Sequence, residues 1–328
     1  MSRTSLVVVG GTIHPDGVAL LESEARVVVT AELTEAGMLA VAREADGILF
    51  IMKPACSRSL MKACANLKVV GRYGVGLDTV DLEAATRHGV AVVHAPGSNS
   101  QAVAEHALML MLTCVKRTLE IDRMTRKGDW RARHEIVNTE LAGKTLGIVG
   151  VGNIGRRVAR FAGAIGMRVL GYDKYVPAEE VRRRGAEPVG SLEELLPQVD
   201  VLTCHTPLTP ETRHMIDERA LALLRPGAIF INTSRGPVHS ERALFEALTR
   251  KRLAAAGLDV FEREPSPVDN PLFNLDNVVC SGHVAGVTVE ANRQASLQVT
   301  AEILRVLRGE RPEVLANPDV WPRPAQRR

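Results

Sequence analysis

Side chains able to move a proton or hold an anion follow three strand-like runs in the second half of the chain. Asn232-Thr-Ser-Arg235-Gly236 follows one run, Asp259 and Glu264 follow the next, and Ser281-Gly282-His283 follows the last. Open α/β sheets bind ligands beyond the carboxyl ends of their strands, so an Arg, a carboxylate and a His there form an acid–base set. Upstream, Thr145-Leu-Gly-Ile-Val-Gly150-Val-Gly152-Asn-Ile-Gly155 passes from an apolar run through three glycines into a helical stretch. That spacing is a dinucleotide-binding fingerprint: Gly150 for the tight turn, Gly152 for approach to a pyrophosphate, Gly155 for close helix–strand packing. Asp173 closes the following strand, about 20 residues on, where a carboxylate accepts from the adenosine ribose hydroxyls. The same carboxylate repels a 2′-phosphate, which favours NAD over NADP, while Lys174 beside it pulls the other way.

The scaffold available to these groups is 328 residues, enough for two domains with separate cores. Roughly 140 residues precede the fingerprint, room for a further domain that would hold whatever the cofactor reacts with. A net charge of +3, 45% hydrophobic and 24% charged residues describe an ordinary soluble chain. With no basic stripe interleaved with aromatics, nucleic acid is not an expected partner. The five cysteines (Cys56, Cys64, Cys114, Cys204, Cys280) are scattered, without C-x-x-C or metal-like His spacing. No metal is expected, and reduced thiols fit a cytoplasmic location. The apolar run at 6–10 is too short for a secretory signal, and no stretch reaches the roughly 18 residues of a membrane span.

Strand–helix alternation fills both halves. Buried parallel strands are expected at 6–9, 27–29, 47–51, 68–70 and 90–93, with helices at 16–23, 35–44, 57–65 and 82–88. Residues 102–119 read as one long helix, apolar almost all round and so buried on every side, between domains or against a second subunit. From Lys144 further strands are expected at 146–150, 168–172, 201–204, 228–232, 255–259 and 278–280, followed by a final helix at 291–307. The fold class is α/β, with two doubly wound parallel-sheet domains flanking a cleft.

Six ordered blocks carry a resemblance over nearly the whole chain. They are Arg72-Tyr-Gly-Val-Gly-Leu-Asp78, 147–155, His205-Thr-Pro-Leu-Thr-Pro-Glu-Thr-Arg-His214, 232–236, Gly257-Leu-Asp-Val-Phe-Glu-Arg-Glu-Pro265 and Gly282-His-Val-Ala-Gly286. Together they resemble the D-isomer-specific 2-hydroxyacid dehydrogenase family. The resemblance implies a Rossmann NAD-binding domain over 102–288 and a flavodoxin-like substrate domain from 1–101 joined by 289–328. It implies interconversion of a small 2-oxo acid and its D-2-hydroxy acid by a cytoplasmic homodimer, with helix 102–119 in or near the interface. His283 would be the acid–base, Glu264 its partner favouring the imidazolium, and Arg235 the grip on substrate carboxylate and carbonyl. The backbone N–H groups of Val75 and Gly76 would complete the carboxylate site, with Met52 nearby. Asp259 would accept from the nicotinamide carboxamide. Gly150, Gly152, Asn153, Ile154, Gly155, Asp173, His205, Thr212, Thr233 and Gly286 complete the implied cofactor contacts.

Some positions depart from the family pattern. His239 and Ser240 stand where many members have an aliphatic residue and Asp; Ser240 suits a helix N-cap, and no catalytic consequence is expected. Gly282 replaces a frequent Pro before the catalytic His, which would loosen that loop. Ile51-Met52 replaces the Arg-Ser pair common in phosphoglycerate-type members, and an aliphatic side chain cannot hold phosphate. With no C-terminal regulatory domain in the sequence, the reading leans from 3-phosphoglycerate towards a small unphosphorylated acid. An NADH-sensing corepressor of the same fold is the alternative from another class; a formate or phosphite oxidoreductase ranks below it. His14, His88, His94 and His134 read as structural, and Glu105-His106 as an interdomain structural pair.

Overall fold

The computed structural model describes residues 3–51, 56–130, 134 and 136–322. It divides into two compact units, Met1–Asn99 with Val287–Arg328, and Ser100–Gly286.

The first unit is built on β1 (Leu6–Gly10), β2 (Arg26–Thr30), β3 (Gly47–Phe50), β4 (Val69–Arg72) and β5 (Ala91–His94), all parallel, in the order β2-β1-β3-β4-β5. That is the flavodoxin-like order, and its direction reverses between β1 and β3. Strands covered on both faces read as continuous apolar runs: every residue of β1 and β3 is buried, whereas edge strand β2 leaves Arg26 and Val29 exposed. The last helix, Val289–Arg308, lies against this sheet. A β-carbon built on Gly71 of β4 would fall 2.6 Å from Ile303 Cδ1, so the absent side chain is what lets helix and strand approach.

The second unit has seven parallel strands: β6 (Thr145–Val149), β7 (Arg168–Tyr172), β8 (Glu187–Pro188), β9 (Val201–Cys204), β10 (Ala228–Asn232), β11 (Leu253–Leu258) and β12 (Val278–Cys280). The order β12-β11-β10-β9-β6-β7-β8 puts the reversal between β9 and β6. Two cores cover the two faces, one around Phe230, Leu202 and Leu244, the other around Leu110, Ile148 and Val158. Both sheets match the expected α/β class, with two-residue β8 the one strand the sequence reading omitted.

The long helix expected at 102–119 is two helices. Ser100–Val115 ends before Arg117, which takes φ 46°, and Thr118–Arg126 follows. Nor is the first of them buried all round: Gln101, Glu105, Met109 and Leu112 form an exposed stripe. Among the described residues, no helix is long and apolar enough to cross a membrane.

Candidate active site

The glycine turn sits at the reversal of the second sheet, where β6 and β9 end side by side. Gly150 takes φ +91°, and a β-carbon there would lie 2.9 Å from the backbone carbonyl of His205, the residue that follows β9. A β-carbon on Gly155 would come within 2.2 Å of the Gly150 carbonyl oxygen, so the helix Gly155–Ala164 can start only against a bare backbone. At Gly152 a β-carbon would meet nothing within 4 Å, which leaves the amide face open to a diphosphate at a helix N-terminus. Asn153 is exposed and Ile154 is half-buried on the same turn. The residues fit a dinucleotide.

Asp173 follows β7, its carboxylate clamped by backbone donors. Oδ2 accepts from the Val151 amide at 2.8 Å, and Oδ1 from the Tyr175 and Val176 amides at 2.9 and 3.1 Å. Beyond β9, His205 shares a hydrogen bond with Thr203 Oγ1 at 3.0 Å and lies 3.5 Å from Thr233 Oγ1. Desolvation pushes its pKa down to about 3, so it is neutral at physiological pH. Thr212 is committed locally, its hydroxyl donating to the Pro207 carbonyl at 2.7 Å.

The three acid–base residues of the sequence come together at the carboxyl ends of β10, β11 and β12. His283 Nδ1 donates to Glu264 Oε2 at 2.6 Å. Burial alone would raise Glu264, but the bond from His283, the Phe261 amide and the charges of His283 and Arg235 hold its pKa below the usual carboxylate value. Arg235 is therefore within electrostatic reach of the pair, its Nη1 donating to the Ser234 carbonyl at 2.7 Å. His283 and Glu264 are each about a third exposed, as groups that must meet a substrate require.

Behind them lies wiring that the sequence reading did not assign. His283 takes φ +57°, a conformation that costs a non-glycine residue energy and needs support from its surroundings. Its amide donates to the Asp259 carbonyl at 2.7 Å, while the Asp259 carboxylate accepts from the amides of Val284 and Ala285 at 2.9 Å each and from Ser281 Oγ at 2.6 Å. Asp259 is 1% exposed. Its carboxylate is thus engaged by the very loop that carries His283. His106 Nε2 meets Ser281 Oγ at 2.8 Å, so the expected Glu105–His106 pair does not form: His106 faces this network and Glu105 takes a bond from Gln101 on the exposed stripe. Gly286 lies in the same loop, which runs to the helix Val289–Arg308.

Asn232 serves the Arg235 turn in the same way. Its Nδ2 donates to the Arg235 carbonyl at 2.9 Å and its Oδ1 accepts from the Ser234 amide and hydroxyl. The buried His239 ring also contacts it, Nδ1 accepting from Nδ2 at 3.0 Å. Burial pushes the His239 pKa down to about 3, so the ring is neutral and one of its nitrogens is able to accept. His239 thus reaches the Arg235 turn through Asn232, a contact the sequence did not indicate. Ser240 caps the next helix as expected, accepting from the Ala243 amide.

In the first unit, the turn after β4 presents Val75 and Gly76, whose amides donate no hydrogen bond among the described residues. Ile51 follows β3 and is half-buried against the apolar core beside Gly11. Met52 lies outside the described residues.

Residues 108–285 match the family model described as "D-isomer specific 2-hydroxyacid dehydrogenase, NAD binding domain". The chain belongs to this family. NAD is accordingly its cofactor. Within the D-2-hydroxyacid dehydrogenases, the chain is 40% identical over 311 residues to the D-3-phosphoglycerate dehydrogenase of Methanocaldococcus jannaschii, covering 95% of this chain and 59% of that one. It is 38% identical to the glyoxylate reductase of Korarchaeum cryptofilum, covering 85% of this chain and 84% of that one. A crystal structure of a Thermus thermophilus protein superposes with a TM-score of 0.86 at 35% identity, over 95% of this chain and 99% of that chain. The chain thus spans about three fifths of the phosphoglycerate dehydrogenase and most of the glyoxylate reductase.

Proposed function

We propose that the chain is an NAD-dependent D-2-hydroxyacid dehydrogenase that reduces a small unphosphorylated 2-oxo acid. The observation that carries this is the 2.6 Å His283–Glu264 bond with Arg235 beside it, at the ligand-binding end of an NAD-binding sheet. With Nδ1 committed to Glu264, the free Nε2 of His283 gives a proton to the carbonyl oxygen during reduction and takes it back from the hydroxyl in reverse. The Glu264 carboxylate fixes the ring's orientation and compensates the positive charge of the protonated form. Arg235 binds the substrate carboxylate and polarises the adjoining carbonyl through its planar fork of donors. The Val75 and Gly76 amides have no acceptor among the described residues, which supports the carboxylate-binding role that the family resemblance implies for them. The bound nicotinamide supplies or receives the hydride.

The substrate reading rests on Ile51, which is packed against the core and offers no donor to a phosphate. The glyoxylate reductase, matched over most of its own length, supports the same reading. The 40% identity to phosphoglycerate dehydrogenases favours 3-phosphoglycerate as the second reading. Four buried free cysteines support a reducing, cytoplasmic setting, and the exposed Met109 and Leu112 support a homodimer.

The test is turnover of NADH with glyoxylate, hydroxypyruvate, pyruvate, phenylpyruvate and 3-phosphohydroxypyruvate. Tight NADH binding with no turnover of any would reject the enzyme in favour of an NADH sensor, and preferential use of the phosphorylated acid would reject the Ile51 argument. His283→Ala should cut reduction at least about 100-fold with NADH affinity nearly intact. Unchanged turnover would remove His283 from the mechanism.

A further inference from the structure

NAD and NADP differ by one phosphate, so the charge around the adenosine ribose decides between them. The loop after β7 carries opposite charges on adjacent residues, Asp173 and Lys174, and Lys174 alone would attract the 2′-phosphate. In the structure its ammonium is occupied. Lys174 Nζ donates to Glu211 Oε2 at 2.9 Å, and the Tyr175 hydroxyl donates to that same oxygen at 2.7 Å. The ammonium also lies 5.7 Å from the centroid of the Tyr175 ring. Glu211 comes from the loop after β9, so the cluster joins the two loops at the ribose end of the NAD site. The bonds from Lys174 and Tyr175 hold the Glu211 pKa below its ordinary value, and Glu211 pushes that of Lys174 up, so both are charged at neutral pH. Arg184, which reaches the same turn, is likewise committed: Nη1 donates to the Val151 carbonyl at 2.6 Å and Nε to Glu180 at 2.8 Å.

We propose that Glu211 is a cofactor-selectivity residue, which holds Lys174 in a Lys–Tyr–Glu cluster away from a 2′-phosphate and adds a second negative charge to that of Asp173. This rests on the NAD-binding reading of the site. An aspartate that excludes NADP is weakened by a neighbouring cation; Glu211 cancels that cation. The cluster is solvent-exposed, with Lys174 and Glu211 side chains 58% and 54% accessible, so its effect is a modest factor and is screened by salt.

The experiment is a fluorescence titration of the whole chain with NADH and with NADPH at low ionic strength. Glu211→Gln should tighten NADPH binding about three- to fivefold and change NADH binding less than about twofold. The double variant Lys174→Met/Glu211→Gln should lose the NADPH gain. An NADPH affinity indifferent to Glu211→Gln overturns the proposal. A gain that survives in the double variant also overturns it, because the attraction would then come from another cation such as Arg156. Failure of the unchanged protein to bind NADH would overturn the cofactor reading itself and the proposal with it, an outcome separable from the others.

Discussion

Replacing Asp259 by Asn tests whether the carboxylate positions the catalytic loop or contacts the cofactor. Among the described residues three hydrogen-bond donors meet it, Ser281 Oγ and the Val284 amide at Oδ1 and the Ala285 amide at Oδ2, and His106 Nε2 lies 3.7 Å from Oδ1. An Asn places its NH₂ where fewer donors are displaced, so it faces the Ala285 amide and leaves that buried N–H without an acceptor, at about 1–3 kcal/mol. The two bonds at the other oxygen fall from charge-assisted to neutral strength, about 1 kcal/mol each. The total is roughly 3–5 kcal/mol, comparable with the lower end of a domain's whole stability. A loop held by so few bonds yields before the sheet does, and His283 lies within it, between Ser281 and Val284. A displacement of about 1 Å at a reacting group costs on the order of 100-fold in rate. Asp259→Asn should therefore cut kcat about 100-fold while NADH Kd, followed by fluorescence, changes less than about threefold. An NADH Kd weakened as much as kcat would refute the positioning argument and make Asp259 a cofactor ligand.

Gly236→Ala should disrupt the same region from another side. Its β-carbon would fall 1.9 Å from the backbone carbonyl of Phe261, whose amide holds Glu264, so stability should drop by about 3 kcal/mol and turnover with it; a variant melting like the parent would show that the two segments part freely. Glu264 supplies a pH dependence. Its folded pKa is depressed below the ordinary 4.5, so its contribution is fully present above that value and lost as pH falls through the lower folded pKa. Glu264→Gln should flatten the fall in Tm below pH 4.5, and parallel Tm profiles for parent and variant would contradict this.

The fold was legible because a parallel sheet covered on both faces demands uninterrupted apolar runs, and β7, β9, β10 and β12 occur at the residues their sequence indicates. The glycine fingerprint was legible for a related reason: its constraints act within a few residues. The helix break at Arg117 was not, because Lys116 and Arg117 are ordinary helix formers and the chain has no Gly or Pro there. What accompanies the break is tertiary, the Lys116 ammonium on the Thr139 carbonyl at 2.9 Å, and local, the Arg117–Glu120 ion pair. The contact between Ser281 and His106 was not legible for a similar reason. They are 175 positions apart, and nothing in either neighbourhood announces the other. Asn232 and His239 lay beside a recognised motif, yet a side chain whose task is to fasten a turn has the composition of an ordinary polar core residue.

The site is consequently organised in two tiers with different physical demands. His283 and Glu264 must be partly open to meet substrate, and solvent-exposed loops do not by themselves hold a left-handed His in place. Asn232 and Asp259, 0% and 1% exposed, supply the constraint by accepting from or donating to loop backbone groups that would otherwise compete for water. Burial makes those bonds worth keeping, since a polar group at such a depth has no solvent to fall back on. Both anchors occupy the carboxyl ends of strands, Asn232 as the last residue of β10 and Asp259 just after β11. The sheet's rigidity therefore passes to the chemistry through one amide and one carboxylate. This arrangement explains why a substitution at Asp259 should read out as lost geometry, whereas one at His283 reads out as lost proton transfer.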